Sequence, residues 1–328
     1  IDGEAATLSG IAGMRRKDAA STRHAGVSAF RYACAMKPQP SLVTGLALLS
    51  LSALLFSSMG VVIRLASHTV DNVTIVFARN LTGTVLLLPI VLAQGRSFLK
   101  TRKPWMHTWR ALAGLTAMYG FFYAIAHLPL SNAMVFTYSS PVFIPLVAWL
   151  FLKERITPLM LLAAGVGLVG VLLVAKPDAG MLNGLSLIGL SSSLLASVAF
   201  VTVRALTATE PATRIVFYFC VIATAVSSVP MFWHWRPLTW TETGYLIGAG
   251  SLATLSQIAL SKAYAYAPAG KIGPANYLAI IFAGLWAWLL WGEVPDRFGI
   301  MGMVLIFLAL LLCLPRESVR HAKVQDEL

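Results

Sequence analysis

A chain of 328 residues could form about two soluble domains, but its 58% hydrophobic and 12% charged residues exclude that reading. Soluble domains run at about 45–50% apolar and about 25% charged, so there is too little charge here to coat a globular surface. The net charge of +12 would suggest nucleic acid in a soluble protein, whereas in a membrane protein it can record orientation. Cys34, Cys220 and Cys313 are odd in number and far apart, with no CxxC, and so support neither a disulfide framework nor a metal site.

Residues 1–41 are polar and basic and contain no apolar run long enough to span. They read as a disordered cytoplasmic tail, with the natural start expected at Met36, just before the first apolar stretch. A signal peptide fits poorly, because the first apolar run is too long and more follow it. Residues 315–328 read as a second cytoplasmic tail.

Between the tails lie ten apolar segments. A membrane helix needs about 20 apolar residues to cross roughly 30 Å of hydrocarbon. The first five are placed at Val43–Ala66, Asn72–Ala93, Trp109–Ala126, Ser131–Leu152 and Pro158–Ala175. The second five are Gly184–Leu206, Ala212–Trp233, Thr243–Tyr266, Gly270–Trp291 and Phe298–Leu314. Connections of a few residues make neighbours antiparallel, and the segments are too long and too seldom alternating for barrel strands. Pro141 and Pro145 predict a bend or local unwinding in the fourth segment.

The cations then orient the chain. With the N-terminus inside, 20 of the 25 Lys+Arg fall on the cytoplasmic side, Arg110 among them. The outer side keeps Arg64, Lys176, Arg236 and Arg297, and Arg79 lies within the second segment. This is the positive-inside bias for both termini in the cytoplasm, and it leaves no basic stripe for nucleic acid.

A shift of about 140 residues lays the second half on the first. Arg64 falls on Arg204, and Ile75-Val76-Phe77 on Ile215-Val216-Phe217. Tyr138, Phe143, Trp149 and Glu154 fall on Tyr277, Phe282, Trp288 and Glu293. Tyr, Trp and Glu at one shared offset are hard to obtain by chance. Five segments per half is an odd number, so the halves must enter the membrane with opposite polarity. Residues 43–175 and 184–314 are therefore expected to form two inverted five-helix repeats of an all-α integral membrane protein. Such repeats are the architecture of secondary transporters, with substrate held between the halves and alternating access by rocking.

These residues carry a resemblance. Arg79 in the second segment, Pro129 after the third, Ser140-Pro141-Val142-Phe143, Glu154-Arg155-Ile156-Thr157, and Gly165 and Gly170 resemble the EamA-type members of the drug/metabolite transporter superfamily. The second copy keeps Glu293 but has Ala279-Ile280 in place of Ser140-Pro141. The resemblance implies small-metabolite transport and a cavity lined by segments 1, 3, 4, 6, 8 and 9. Its members include amino-acid exporters, riboflavin and S-adenosylmethionine carriers, and opine-metallophore exporters.

Arg79 is the ionisable residue expected well inside a span, and an intramembrane charge is a functional-site hypothesis by default. The bland alternative is snorkelling to the outer surface. Its repeat mate is Phe219, so symmetric packing does not require it. No Asp or Glu falls mid-membrane, which leaves no carboxylate relay for protons. Candidate substrate contacts are Arg79, Tyr119, Tyr138, Ser140, Gln257, Asn276, Tyr277 and Trp286. Each of the polar ones could equally bond a neighbouring helix. Arg64, Pro141, Glu154 and Glu293 read as structural or gating residues. Trp149 and Trp288 could stack a planar solute or simply pack. Gly165, Gly167, Gly170, Gly299 and Gly302 read as close-packing sites of a scaffold or a homodimer contact.

There is no GxxxxGK[ST] for ATP-driven pumping and no HExxH or GxSxG for intramembrane catalysis. No catalytic residue, metal or cofactor is expected. The partners expected are the bilayer and a small metabolite. The reading is a secondary carrier of the inner membrane, leaning to export, with an importer or a non-transporting scaffold or sensor as alternatives.

Overall fold

The structure is a computed structural model that describes residues 41–127, 130–177 and 186–314. Met36, Cys34, Pro129, both tails and the start of the sixth expected segment lie outside these. Helices α1 (Leu42–Ala66), α2 (Asn72–Gln94), the one-turn α3 (Arg96–Leu99) and α4 (Pro104–His127) open the chain. They are followed by α5 (Leu130–Thr137), α6 (Ser140–Leu152) and α7 (Pro158–Ala175). The second half runs α8 (Ser186–Thr207), α9 (Ala212–His234), α10 (Trp240–Tyr266) and α11 (Ala269–Ile272). A 3₁₀ turn (Gly273–Tyr277), α12 (Leu278–Trp291) and α13 (Arg297–Cys313) complete it. No strand occurs among the described residues.

Seven helical segments are long and apolar enough to cross a membrane, and α13 is apolar but shorter. The expected count of ten therefore also needs α4 and α10. Both are long enough, at 24 and 27 residues, but more polar. Arg110 and His107 dilute the apolar character of α4, and small and hydroxyl residues that of α10.

Local chemistry sets the helix ends. Ser41, Asp71, Thr157 and Asp296 accept the backbone N–H three residues on, and Thr239 with Glu242 forms a full capping box. The ends of α6 and α12 are one device used twice. Lys153 (φ 56°) and Gly292 (φ 67°) adopt the left-handed conformation. The Glu154 N–H then donates to Ala148 O at 3.4 Å and the Glu293 N–H to Ala287 O at 3.2 Å. The repeat therefore fixes where the two carboxylates leave the helices. The predicted bend of the fourth segment is a break at Tyr138-Ser139, with Pro141 buried in the first turn of α6. Its mate, Tyr277, ends the 3₁₀ turn ahead of α12.

Helix pairings are exchange-symmetric. α1 packs on α10 as α8 packs on α4, and α6 packs on α8 as α12 packs on α1. α2 packs on its own mate α9, and α7 on its mate α13. Thr84 and Thr224, 140 residues apart, meet with hydroxyls 3.4 Å apart where α2 crosses α9. A Cβ on Gly302 would lie 2.5 Å from Gly170 O, and one on Gly170 2.7 Å from Gly302 O, so these glycines let α7 and α13 touch backbone to backbone. Trp149 and Trp288 are about half exposed on outward faces with Leu146, Leu150, Leu285 and Leu289. These aromatics thus stand exposed at matching positions of the two halves.

Candidate functional site

The deepest polar cluster lies where α2, α4, α9 and α10 converge. Their approach depends on small residues: a Cβ on Gly83 of α2 would sit 2.7 Å from both Cys220 Sγ and Thr254 Oγ1. A Cβ on Gly250 of α10 would sit 3.0 Å from the Arg79 carbonyl. Arg79 stands two turns into α2, about 10 Å at helical rise. Its side chain is half-buried, and its Nε is buried without a partner. No ion pair engages it among the described residues.

Arg110 corrects the reading that counted it among the inner surface cations. It lies inside α4 and is 3% exposed. Its Nη2 donates to Gln257 Oε1 at 2.6 Å, and its guanidinium lies 3.7 Å over the Phe219 ring. Nε and Nη1 remain buried without partners. One turn earlier, His107 is buried, with its ring 4.6 Å from that of Tyr218 and both nitrogens unpartnered. Arg79 is thus not alone inside the bundle. A signal was present in the sequence: His107, Arg110 and Gly114 share a helix face at i, i+3, i+7, and a Cβ on Gly114 would meet Arg110 Nη1 at 3.3 Å.

Three ion pairs cross between the halves: Lys176 with Asp296, and two that occupy matching repeat positions. Arg64 Nη2 donates to Glu293 Oε1 at 2.7 Å, and Arg204 Nε donates to Glu154 Oε1 at 3.2 Å. Because Arg64 matches Arg204 and Glu154 matches Glu293, these two pairs are repeat mates. Each joins an arginine of one half to a glutamate of the other.

The loops are fastened by the same logic. Glu210, ahead of α9, accepts from Thr101 Oγ1 at 2.7 Å and from the Arg102 N–H at 3.3 Å, and pairs with Arg214. Burial opposes the Glu210 charge, but these hydrogen bonds and Arg214 hold its carboxyl below the ordinary range. At the other end, Arg236 donates to Glu242 at 2.7 Å and to Thr69 O at 2.7 Å. The Arg236 hydrogen bond, with the Thr239 N–H, holds the Glu242 carboxyl down to about 2.

Of the remaining candidates, Gln257 alone joins the arginine cluster. Tyr119 packs against the apolar cluster around Phe219 and Cys220, with its hydroxyl buried and unpartnered. Trp286 Nε1 is also buried without a partner. Tyr277 is fully buried: its hydroxyl donates to Ala164 O at 3.0 Å and its ring fills the space a Cβ on Gly167 would need. Its side chain is engaged in joining α7 to the 3₁₀ turn. Ser140 O accepts from Ser197 Oγ at 2.8 Å. Asn276 Nδ2 donates to Gly273 O at 2.9 Å and to Tyr264 Oη at 3.3 Å. Tyr138 packs beside Ala53, Leu278 and Ala279. No group of three or more His, Cys, Asp or Glu that could hold a metal exists among the described residues.

Apolar helices in symmetric pairings, with buried charge left unpaired among the described residues, define a multi-pass membrane protein built of two repeated halves. The EamA-like transporter family matches residues 43–176 and again 183–314, and the chain belongs to that family. It is a small-metabolite transporter and not an enzyme. The chain is similar to the pseudopaline exporter CntI of Pseudomonas aeruginosa, at 34% identity over 82% of this chain and 95% of the relative. It is also similar to an S-adenosylmethionine uptake transporter of Rickettsia bellii, at 26% identity over 76% and 86%. A solved crystal structure at 19% identity shares the fold, with a TM-score of 0.71 over 83% of this chain and 96% of that one.

Proposed function

We propose that the protein is a secondary carrier of the inner membrane that moves a small organic metabolite by alternating access. Ten spans form two oppositely inserted five-helix halves with both termini in the cytoplasm, and Arg79 and Gln257 contact the solute between them. The observation that carries this reading is the exchange symmetry of the pairings, with its two repeat-mate ion pairs. A device that rocks between two equivalent arrangements needs matching contacts at its two ends, and Arg204–Glu154 and Arg64–Glu293 are such contacts. In the proposed topology the former latches the cytoplasmic end and the latter the outer end.

Export is the favoured direction. The absence of mid-span carboxylates removes the obvious route for proton-coupled accumulation, and the Pseudomonas relative is named an exporter. Uptake is the second reading, on the name of the Rickettsia relatives. Proteoliposomes loaded with pseudopaline or with labelled S-adenosylmethionine test both, followed by a broad metabolite panel. Saturable release or entry of a solute, reduced by Arg79→Ala, is expected. No saturable movement of any solute would sink the carrier reading.

A further inference from the structure

We propose that Arg79 and Arg110 together form an anion subsite, built for a metabolite with at least two carboxylates. The proposal rests on the carrier reading and names the substrate class of its central site.

Arg110 is 3% exposed, with Nε and Nη1 unpartnered, and Arg79 has a buried, unpartnered Nε. Gly83 against Cys220 and Thr254, Gly250 against the Arg79 carbonyl, and Arg110 over Phe219 put both arginines at one helix junction. The acidic residues of the described chain stand at helix ends and in loops, and none forms an ion pair with either arginine. An uncompensated buried charge is strongly destabilising, and two of like sign repel as well. A membrane-spanning bundle retains such a pair where something outside the chain supplies the counter-charge.

Symmetry removes the alternative that folding requires these groups. At the repeat offset Arg79 matches Phe219, Arg110 matches Ala249, and Gln257 matches Met118. The same fold is thus built with apolar residues at the equivalent places in the other half. Polar chemistry is concentrated at a departure from the two-fold relation. It is also pre-oriented: Phe219 under the Arg110 plane and Gln257 on Nη2 leave Nε and Nη1 as the free donors. A guanidinium edge matches a carboxylate in bidentate fashion. Two guanidinium groups with free donors call for two negative charges, and a single carboxylate would neutralise only half of the positive charge. Arg79, half-buried, is the more accessible of the two.

The test uses the full chain in detergent, with matched probes at equal ionic strength: adipate, citrate, adipamide, putrescine and sodium chloride. Adipate and citrate should raise the melting temperature saturably, while adipamide and putrescine should not. Arg79→Gln and Arg110→Gln should each weaken adipate binding at least about 10-fold. Arg110→Gln should leave the ligand-free melting temperature unchanged or raised, because it removes an unpaired charge, whereas a structural arginine would lower it. Stabilisation by putrescine, adipamide or chloride equal to that by adipate overturns the proposal, as does unchanged affinity in both variants. The wild-type series decides if a variant does not fold. Saturable transport of a neutral or cationic metabolite, without carboxylate binding, sinks the subsite and leaves the carrier reading standing. Absence of transport for every solute sinks both.

Discussion

The two repeat-mate ion pairs share one sequence logic and end in different surroundings. Arg204 and Glu154 are 27% and 19% exposed, and Arg204 Nη1 also donates to Tyr264 O at 2.7 Å. Arg64 and Glu293 are 48% and 51% exposed, with the arginine 4.1 Å over the Trp291 ring. Equal partners at equal repeat positions thus give a largely shielded contact at one end and a solvent-exposed one at the other. The repeat dictates who pairs with whom, and the solvent around each pair dictates what the pairing is worth. In the alternating-access reading the buried pair is the engaged latch, and the exposed one is ready to part.

Removing the arginine at each end is the most direct way to break this comparison. Arg204→Met takes away charge-assisted hydrogen bonds and leaves Glu154 beside apolar neighbours, with its Oε2 already buried and unpartnered. A loss of about 2–3 kcal/mol is expected, read as a lower melting temperature in detergent. Arg64→Met should change it little, since exposed pairs are solvated when parted. Equal losses at the two ends would show that burial does not separate them. In the carrier reading, Arg204→Met should also expose the cytoplasmic end to a membrane-impermeant thiol reagent at an introduced cysteine.

The turns that deliver the two glutamates differ by one residue, which gives a smaller effect. Lys153 occupies a left-handed position that its mate fills with Gly292. Lys153→Gly should stabilise by about 0.5–1 kcal/mol, and Gly292→Ala should destabilise by about 1 kcal/mol or more. If both changes are neutral, the left-handed caps do not hold the carboxylates in place. The comparison would then rest on the arginines alone.

Much of the architecture could be read from the sequence, because the strongest signals were periodic or repeated. Tyr138/Tyr277, Glu154/Glu293 and Arg64/Arg204 exposed the duplication, and the family matches the chain twice. The ion pairs themselves were not legible. At a helix end, Glu154 has many cations in range, and the crossing from one half to the other is set by long-range packing. Arg110 was misplaced for a different reason. Close to Lys100, Arg102 and Lys103, it looks like one more surface charge, and only the length of α4 and the small residues facing it bring it inside. Tyr277 left two readings open, a solute contact or a bond to a neighbouring helix, and its side chain fills the space over Gly167 with its hydroxyl on Ala164 O.

Acid sharpens the comparison at the exposed end by the smallest effect. Glu293 is held below the ordinary range chiefly by the hydrogen bond from Arg64. Glu242 is held from the ordinary 4.5 down to about 2, chiefly by the hydrogen bond from Arg236. A carboxyl whose folded value lies below its unfolded one adds stability that is complete above the unfolded value. That stability is lost as the pH falls through the folded value. The melting temperature should therefore decline between pH 4.5 and about 2, with Glu242→Gln flattening the profile most and Glu293→Gln less. Added salt should shrink the Glu293 contribution, because that pair faces solvent. A profile unaffected by Glu293→Gln would mean that the exposed pair forms too seldom to shift its own titration. The burial of Arg204 and Glu154 would then be the whole of the difference between the two ends.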